Sequence, residues 1–356
     1  MLGAGDFGSV TLFSPASSLD ESENTYKSVK ILPNTTPHET TDAREEQKIL
    51  NAVGKSSEPI IFFRDPETKK RQAAIVMNYE KGKDCNVLME LRNTSDTAES
   101  KWPGIVWLNI GIKSVEAVIE LLKKGVMHLD LKPPNMMYDF VENKLSLIDL
   151  GIALQFKKTE ELSAVSVESK FSALEGTIAY LAPEFYDYSH RRTYTEKSLV
   201  FTLGRLLQEI LFNQDVQIEY KDDNENRVLR EVNVEFTNLN GKGNFLDLYL
   251  AIKERMSSLV SAMQEVEIDA RPTLREALLE LEEIRKAYLA LKPDDLEIEM
   301  QMRAQAVSAE KTRYEAIISG LKKQSLFPAV STTQEAIGTQ VLCNEPKNGS
   351  PSLQSS

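Results

Sequence analysis

Asp130 and Asn135 stand five positions apart, with Lys132 between them, in the run His128-Leu129-Asp130-Leu131-Lys132-Pro133-Pro134-Asn135. Phosphoryl transfer needs a carboxylate that accepts or orients the proton of an attacking hydroxyl. It also needs an oxygen ligand for a divalent cation and a positive charge near the migrating group. Asp130, Asn135 and Lys132 could fill those roles in that order. A second carboxylate, Asp149, follows nineteen residues after Asp130 and ends the apolar run 145–148. Two short strand-like runs, 136–139 and 144–148, flank the turn residues Glu142-Asn143 and can return Asp149 to the same place. There it could hold Mg²⁺ between nucleotide phosphates. Any one of these aspartates alone is more often a turn or a helix cap; the ordered set is what points to a site.

Such a set must be held by elements. Strand-like runs at 9–13, 26–32, 60–64 and 72–78 dominate the first third, interrupted by a helical stretch at 41–53. Past Lys83 the pattern turns mainly helical, with an apolar stripe along 107–124 and further helices at 199–212, 246–263 and 273–291. A polar insertion at 213–244 has alternating ends that predict a hairpin. Residues 295–323 read as a charged helix beyond Pro293, and 325–356 have the composition of a disordered tail. A strand-rich front and a helix-rich rear predict an α+β protein of two lobes. The expected divisions are 1–79, 80–292, 293–324 and 325–356.

Several function classes are disfavoured. A net charge of −12 opposes binding to nucleic acid or an anionic membrane. The two cysteines, Cys85 and Cys343, lack the spacing of a zinc site or a disulfide framework. No run is apolar enough to span a bilayer, and 1–20 do not read as a signal peptide, so a cytoplasmic setting is expected.

The chain resembles the eukaryotic-type serine/threonine protein kinases, and the resemblance covers about 2–290. Their catalytic loop is H-R-D-x-x-x-x-N and their metal motif D-F-G; here stand His128-Leu129-Asp130 through Asn135, and Asp149-Leu150-Gly151. Gly3-Ala4-Gly5-Asp6-Phe7-Gly8-Ser9-Val10 fits the glycine loop over the ATP phosphates, G-x-G-x-x-G-x-V. Gly176 to Glu184 reads G-T-x-x-Y-x-A-P-E, the end of an activation segment, and Arg271-Pro272-Thr273 matches a late R-P-T motif. The resemblance implies a bilobal fold and transfer of the ATP γ-phosphate to Ser or Thr hydroxyls of a protein substrate, with Mg²⁺ or alternatively Mn²⁺. It implies that Asp130, Lys132, Lys30 and Glu46 are catalytic and that Asn135 and Asp149 hold metal. Lys30 is preferred over Lys27 because it precedes the apolar pair Ile31-Leu32, and Glu46 is preferred over Glu45 as its partner. Nucleotide contacts are implied at Gly3, Ala4, Gly5, Asp6, Phe7, Gly8, Val10 and Lys30, then at Met77, Asn78, Tyr79, Glu80 and Asp84. Thr177 is expected to bond Asp130 and Lys132, and Glu184 to pair with Arg271.

There are departures. Leu129 replaces the arginine that usually clamps an activation-segment phosphate, which predicts activity independent of such phosphorylation. Ser163, Ser166, Ser169 and Ser172 remain candidate modification sites. Leu199 falls where an aspartate normally anchors the catalytic loop, and Leu150 and Ser28 are milder swaps. Met1-Leu2 leads straight into the glycine loop, so most of the first strand is expected to be missing or to lie upstream. The rival readings are a pseudokinase scaffold, a small-molecule kinase, and a helical interaction protein using 295–323. The insertions and polar tail suit a cytosolic kinase and equally a eukaryotic-like kinase delivered by an intracellular bacterium.

Overall fold

β-Branched and aromatic residues at the front of the chain build one antiparallel sheet. It holds β1 (Gly3–Gly5), β2 (Gly8–Phe13), β3 (Lys27–Leu32), β4 (Ile61–Arg64) and β5 (Arg71–Asn78), in the order β1-β2-β3-β5-β4. α1 (Pro37–Ala52) interrupts these strands. The structure, a computed structural model, describes residues 3–5, 8–13, 27–32, 37–94, 104–169, 176–185, 192–212 and 244–324. β1 is only three residues long, yet it pairs along its whole length, with Gly3 opposite Val10 and Gly5 opposite Gly8. The expected hairpin in the insertion, the residues of the tail and the loop positions Asp6 and Phe7 lie outside the described residues.

α1 begins earlier than its apolar spacing suggests, because Pro37 suits a first helical position. It buries Ala43, Glu46, Ile49 and Leu50, and the turn after it passes through Gly54 at φ +78°, a left-handed stop that glycine tolerates. β6 (Lys83–Asp84) leads into α2 (Cys85–Thr94). α3 (Gly104–Lys123) is buried on most of its faces, as a helix must be at the centre of a helical body. After it come β7 (Val126–Met127), β8 (Met136–Asp139), β9 (Lys144–Leu147), β10 (Leu154–Gln155), β11 (Ser166–Glu168) and β12 (Thr193–Thr195). β6, β8 and β9 form one small sheet; β7 pairs with β10, and β11 with β12. α4 (Glu196–Phe212), α5 (Asn244–Met263), α6 (Leu274–Leu291) and α7 (Asp294–Gln324) follow among the described residues. Thr273 opens α6 with a reciprocal capping box to Glu276, which satisfies two donors at the helix start. The front is thus a β-sheet with one helix, and the rear is mostly helical.

The chain divides into two units, Met1–Val307 and Ser308–Ser356. The first contains every candidate residue. The second is described only by the end of α7.

Candidate active site

Alternation along β3 places Ser28 and Lys30 on one buried face. Lys30 sits opposite Val10 on β2 and Ile75 on β5. Its ammonium donates to Glu46 Oε1 at 2.8 Å and to Asp149 Oδ1 at 3.1 Å. Glu45, beside Glu46 on α1, is exposed, and Lys27 reaches Asn78 Oδ1 at 2.8 Å instead. Burial opposes the charge on Lys30, but the Glu46 and Asp149 carboxylates outweigh it and raise its pKa above the ordinary lysine value. Asp149 takes φ +59°, an uncommon backbone state for a residue with a side chain, at the point where it meets Lys30. Gly151 completes this cluster. A Cβ there would lie 3.5 Å from Asp149 Oδ1, 3.6 Å from Glu46 Oε2 and 3.7 Å from Lys30 Nζ.

The second group lies on the loop between β7 and β8. Asp130 Oδ1 accepts from the Thr177 hydroxyl at 2.6 Å, and its Oδ2 meets Lys132 Nζ at 2.7 Å and Asn135 Nδ2 at 3.0 Å. Lys132 also donates to Thr177 Oγ1 at 3.1 Å, and Asn135 Nδ2 to the Asp130 carbonyl at 2.8 Å. Burial would lift the Asp130 carboxyl, but the bonds from Lys132 and Thr177 prevail and hold it below the usual carboxylate range. The loop has its own support. His128 is buried, and burial depresses its pKa, so its ring is neutral. Nδ1 accepts from the Asp130 backbone N–H at 3.1 Å, so the proton belongs on Nε2, which donates to the Ile148 carbonyl at 2.9 Å. One imidazole therefore ties the backbone at Asp130 to the residue preceding Asp149.

Two contacts hold the activation segment, one of them dependent on a glycine. Gly176 has φ +92°, and a Cβ there would meet the Leu129 carbonyl at 2.4 Å, so only glycine lets Thr177 approach Asp130. Beyond it, Glu184 accepts two bonds from Arg271, both at 2.8 Å. Arg271 is fully buried, donates further to the Glu265, Lys197 and Val266 carbonyls, and lies 5.0 Å from the centre of the Phe201 ring. Leu129 and Leu199, the two departures from the family pattern, are both buried in the apolar core. Neither position carries a charge.

At the strand that leaves the sheet, Met77 packs partly buried against the core and sits opposite Ser28. The Asn78 side chain donates to the Gly54 carbonyl at 3.1 Å, and Glu80 forms an ion pair with Lys55. Both side chains are thus engaged, and so is the Asn78 backbone, whose N–H donates to the Lys55 carbonyl at 2.7 Å and whose carbonyl accepts from Ser28 Oγ at 3.3 Å. Asp84 caps α2 by accepting from the Val87 N–H at 2.9 Å. Gly3, Ala4, Gly5 and Gly8 form the β1–β2 hairpin. The structure thus groups Lys30, Glu46 and Asp149 in one cluster and Asp130, Lys132, Asn135 and Thr177 in another.

Some linked residues escaped the sequence reading. Lys55, the partner of Glu80, follows the helix stop with no pattern joining the two. The Tyr180 hydroxyl donates to Glu209 Oε2 at 2.6 Å, and burial with that carboxylate pushes its pKa up. A tyrosine inside the G-T-x-x-Y motif was the available signal, but its partner on α4 had none. No group of three or more His, Cys, Asp or Glu residues among those described could hold a metal unaided. Asn135 and Asp149 offer two oxygen ligands, which suits a cation whose remaining ligands come from a nucleotide and water.

Known proteins resemble this chain along most of its length. The family model described as protein kinase domain matches residues 1–280. The chain is 26% identical over 246 residues to serine/threonine-protein kinase nekl-2 of Caenorhabditis elegans, covering 68% of this chain and 62% of the relative. It is 27% identical over 281 residues to the human receptor-interacting serine/threonine-protein kinase 1, covering 76% of this chain and 38% of the relative. A probable serine/threonine-protein kinase of Clostridium perfringens matches at 25% over 272 residues, covering 74% and 35%. The chain therefore spans between about a third and somewhat under two thirds of these relatives' lengths. No helix among the described residues is long and apolar enough to cross a membrane. With its motifs in order and its two charged clusters assembled, the chain belongs to the eukaryotic-type protein kinase family.

Proposed function

We propose that this chain transfers the γ-phosphate of ATP to serine or threonine hydroxyls of a protein substrate. The observation that carries the reading is the joint assembly of the Lys30–Glu46–Asp149 and Asp130–Lys132–Thr177–Asn135 clusters. Lys30, held by Glu46, positions the phosphates beneath the hairpin that carries Gly3, Gly5 and Gly8. Asp130, kept ionised by its donors, orients the attacking hydroxyl and takes up its proton. Lys132 faces the charge that builds on the migrating group. Asn135 and Asp149 would hold Mg²⁺, which neutralises the phosphate oxygens when bound. Met77 and backbone groups of Tyr79 and Glu80 line the base, and Asp84 stands at the ribose end. Thr177 beside Asp130 supports a hydroxyl acceptor on a polypeptide, and the platform from Gly176 to Glu184 supports a protein over a metabolite.

A scaffold without transfer is the second reading, favoured by the apolar Leu129 and Leu199. A screen of labelled ATP with Mg²⁺ against a serine/threonine peptide library and a metabolite panel separates the alternatives. Label in peptides, abolished by EDTA and by Lys30→Ala, is the expected result. Label only in metabolites would replace the acceptor, and label in neither, with ATP still bound, would favour the scaffold.

A further inference from the structure

α1 carries Glu46 to Lys30, yet its apolar stripe is thin. Among its described residues the buried apolar side chains are Ala43, Ile49 and Leu50. Apolar burial is non-directional, so a stripe of this kind only weakly specifies rotation of the helix about its own axis. The 2.8 Å bond from Lys30 to Glu46 tolerates little such rotation.

The next residue supplies the missing direction. Gln47 lies about 100° round the helix from Glu46 and is as deeply buried. Its Nε2 donates to Ser56 Oγ at 2.7 Å and to the Glu58 carbonyl at 2.9 Å, both in the segment between α1 and β4. It also lies 2.9 Å from Asn51 Oδ1, one turn along the helix. A carbonyl only accepts, so the nitrogen must face Glu58 and the amide has one orientation. Oε1 is then buried without a partner among the described residues, a cost that apolar packing alone gives no reason to bear. Ser56 passes the tie on, its hydroxyl donating to the Val76 carbonyl of β5 at 2.6 Å. With its proton so directed, Ser56 Oγ accepts from Gln47, and the relay Gln47 to Ser56 to Val76 runs one way, each bond polarising the next. The segment is pinned besides, the Ser56 N–H donating to the Leu50 carbonyl at 3.3 Å and the Asn78 N–H to the Lys55 carbonyl at 2.7 Å. Val76 follows Ile75, which stands opposite Lys30 in the sheet.

We infer that Gln47 is a positioning residue: through Ser56 it registers α1 on the strand beside Lys30 and so sets the angle at which Glu46 meets that lysine. It touches no reacting atom and acts through Glu46 alone. The inference rests on the proposed reading that Lys30 faces the ATP phosphates.

The test is calorimetric titration of the full chain with Mg²⁺–ATP and with adenosine, for wild type, Gln47→Met, Glu46→Gln and the double variant. Adenosine lacks the phosphates, so the ratio of the two affinities reads the phosphate end of the site and cancels a general loosening of the fold. In Gln47→Met the ATP preference is expected to fall about tenfold, toward its value in Glu46→Gln, and the double variant should be no worse than Glu46→Gln. Asn51→Ala removes the one acceptor that reaches no other element and should keep the ratio within about twofold of wild type. Ser56→Ala cuts the relay outside α1 and should shift the ratio in the same direction as Gln47→Met. An unchanged ratio in Gln47→Met, or in Ser56→Ala where the first variant does not fold, would overturn the inference. So would a fall as large in the Glu46→Gln background as in the wild type. No arm of this test reads transfer, so failure of the proposed reaction would show separately, as ATP bound and no phosphate moved.

Discussion

Asp130 is the residue on which most of the local hydrogen bonding converges. Its carboxylate takes bonds from Thr177, Lys132 and Asn135, and its backbone N–H is taken by neutral His128. A carboxyl with a depressed pKa stays ionised until the pH falls through that low value, so the acid limb of the pH–rate profile should lie below the ordinary carboxylate range. Thr177→Val removes one stabilising donor. It should lower kcat/KM by about 10- to 100-fold and move the acid limb to higher pH, read from full pH–rate profiles. His128 acts on stability in the same direction but in a higher pH window. Its pKa is depressed by burial, so the unfolded chain binds its proton more readily, and stability should fall as the pH drops below about 6.5. Urea titrations of the wild type and His128→Phe across that window check this, the variant losing the slope. At this scale the residues of the two charged clusters were readable, because the motifs fix their type and order. The ion pair of Lys55 with Glu80 was not, since nothing local links residues that meet only after folding.

The activation segment is an element built without the usual phosphate clamp. With Leu129 buried in the apolar core, a phosphorylated serine nearby lacks the arginine that would receive it. The segment is tied down by other means. β11 pairs with β12, Ser166 opposite Thr195 and Glu168 opposite Thr193, while Leu162 and Val165 are buried in the core. Ser169 is buried as well, and its N–H donates to the Arg192 carbonyl at 2.8 Å. Phosphatase treatment is therefore expected to leave transfer activity within about twofold of the untreated protein, checked by initial rates. Val167→Pro removes the ladder donor at the middle of β11 and should cost roughly 1–3 kcal/mol locally, with a fall in peptide phosphorylation larger than any change in ATP binding. The longer strands and helices were visible from periodicity and turn residues. β10, β11 and β12 were not, because strands of two or three residues carry no repeat and take their identity from a distant partner.

Across the whole first unit, two polar anchors join distant parts of the chain. Arg271 and Glu184 connect the start of α6 to the end of the activation segment through a buried bidentate pair. Arg271→Leu strands Glu184 and leaves three carbonyls without their donor, so a loss of about 3–5 kcal/mol is expected in urea unfolding. The motif made this pair legible across 87 positions. The second anchor was hidden. Glu299 on α7 is buried and accepts from Asn109 Nδ2 at 2.7 Å on α3, while Asn109 Oδ1 accepts from Arg285 on α6 at 2.5 Å. Residues 295–323 read as a charged helix, and a single buried glutamate among many exposed ones has no sequence signature. The central claim is that these supports serve phosphoryl transfer at Asp130. Single-turnover transfer from labelled ATP to peptide, in the presence of Mg²⁺, tests it with wild type, Asp130→Ala and Asp149→Ala. Wild-type transfer, reduced by at least about a hundredfold in both variants while Asp130→Ala still binds ATP, is the predicted result. Transfer undiminished in Asp130→Ala, or a wild type that binds ATP and transfers nothing, would contradict it.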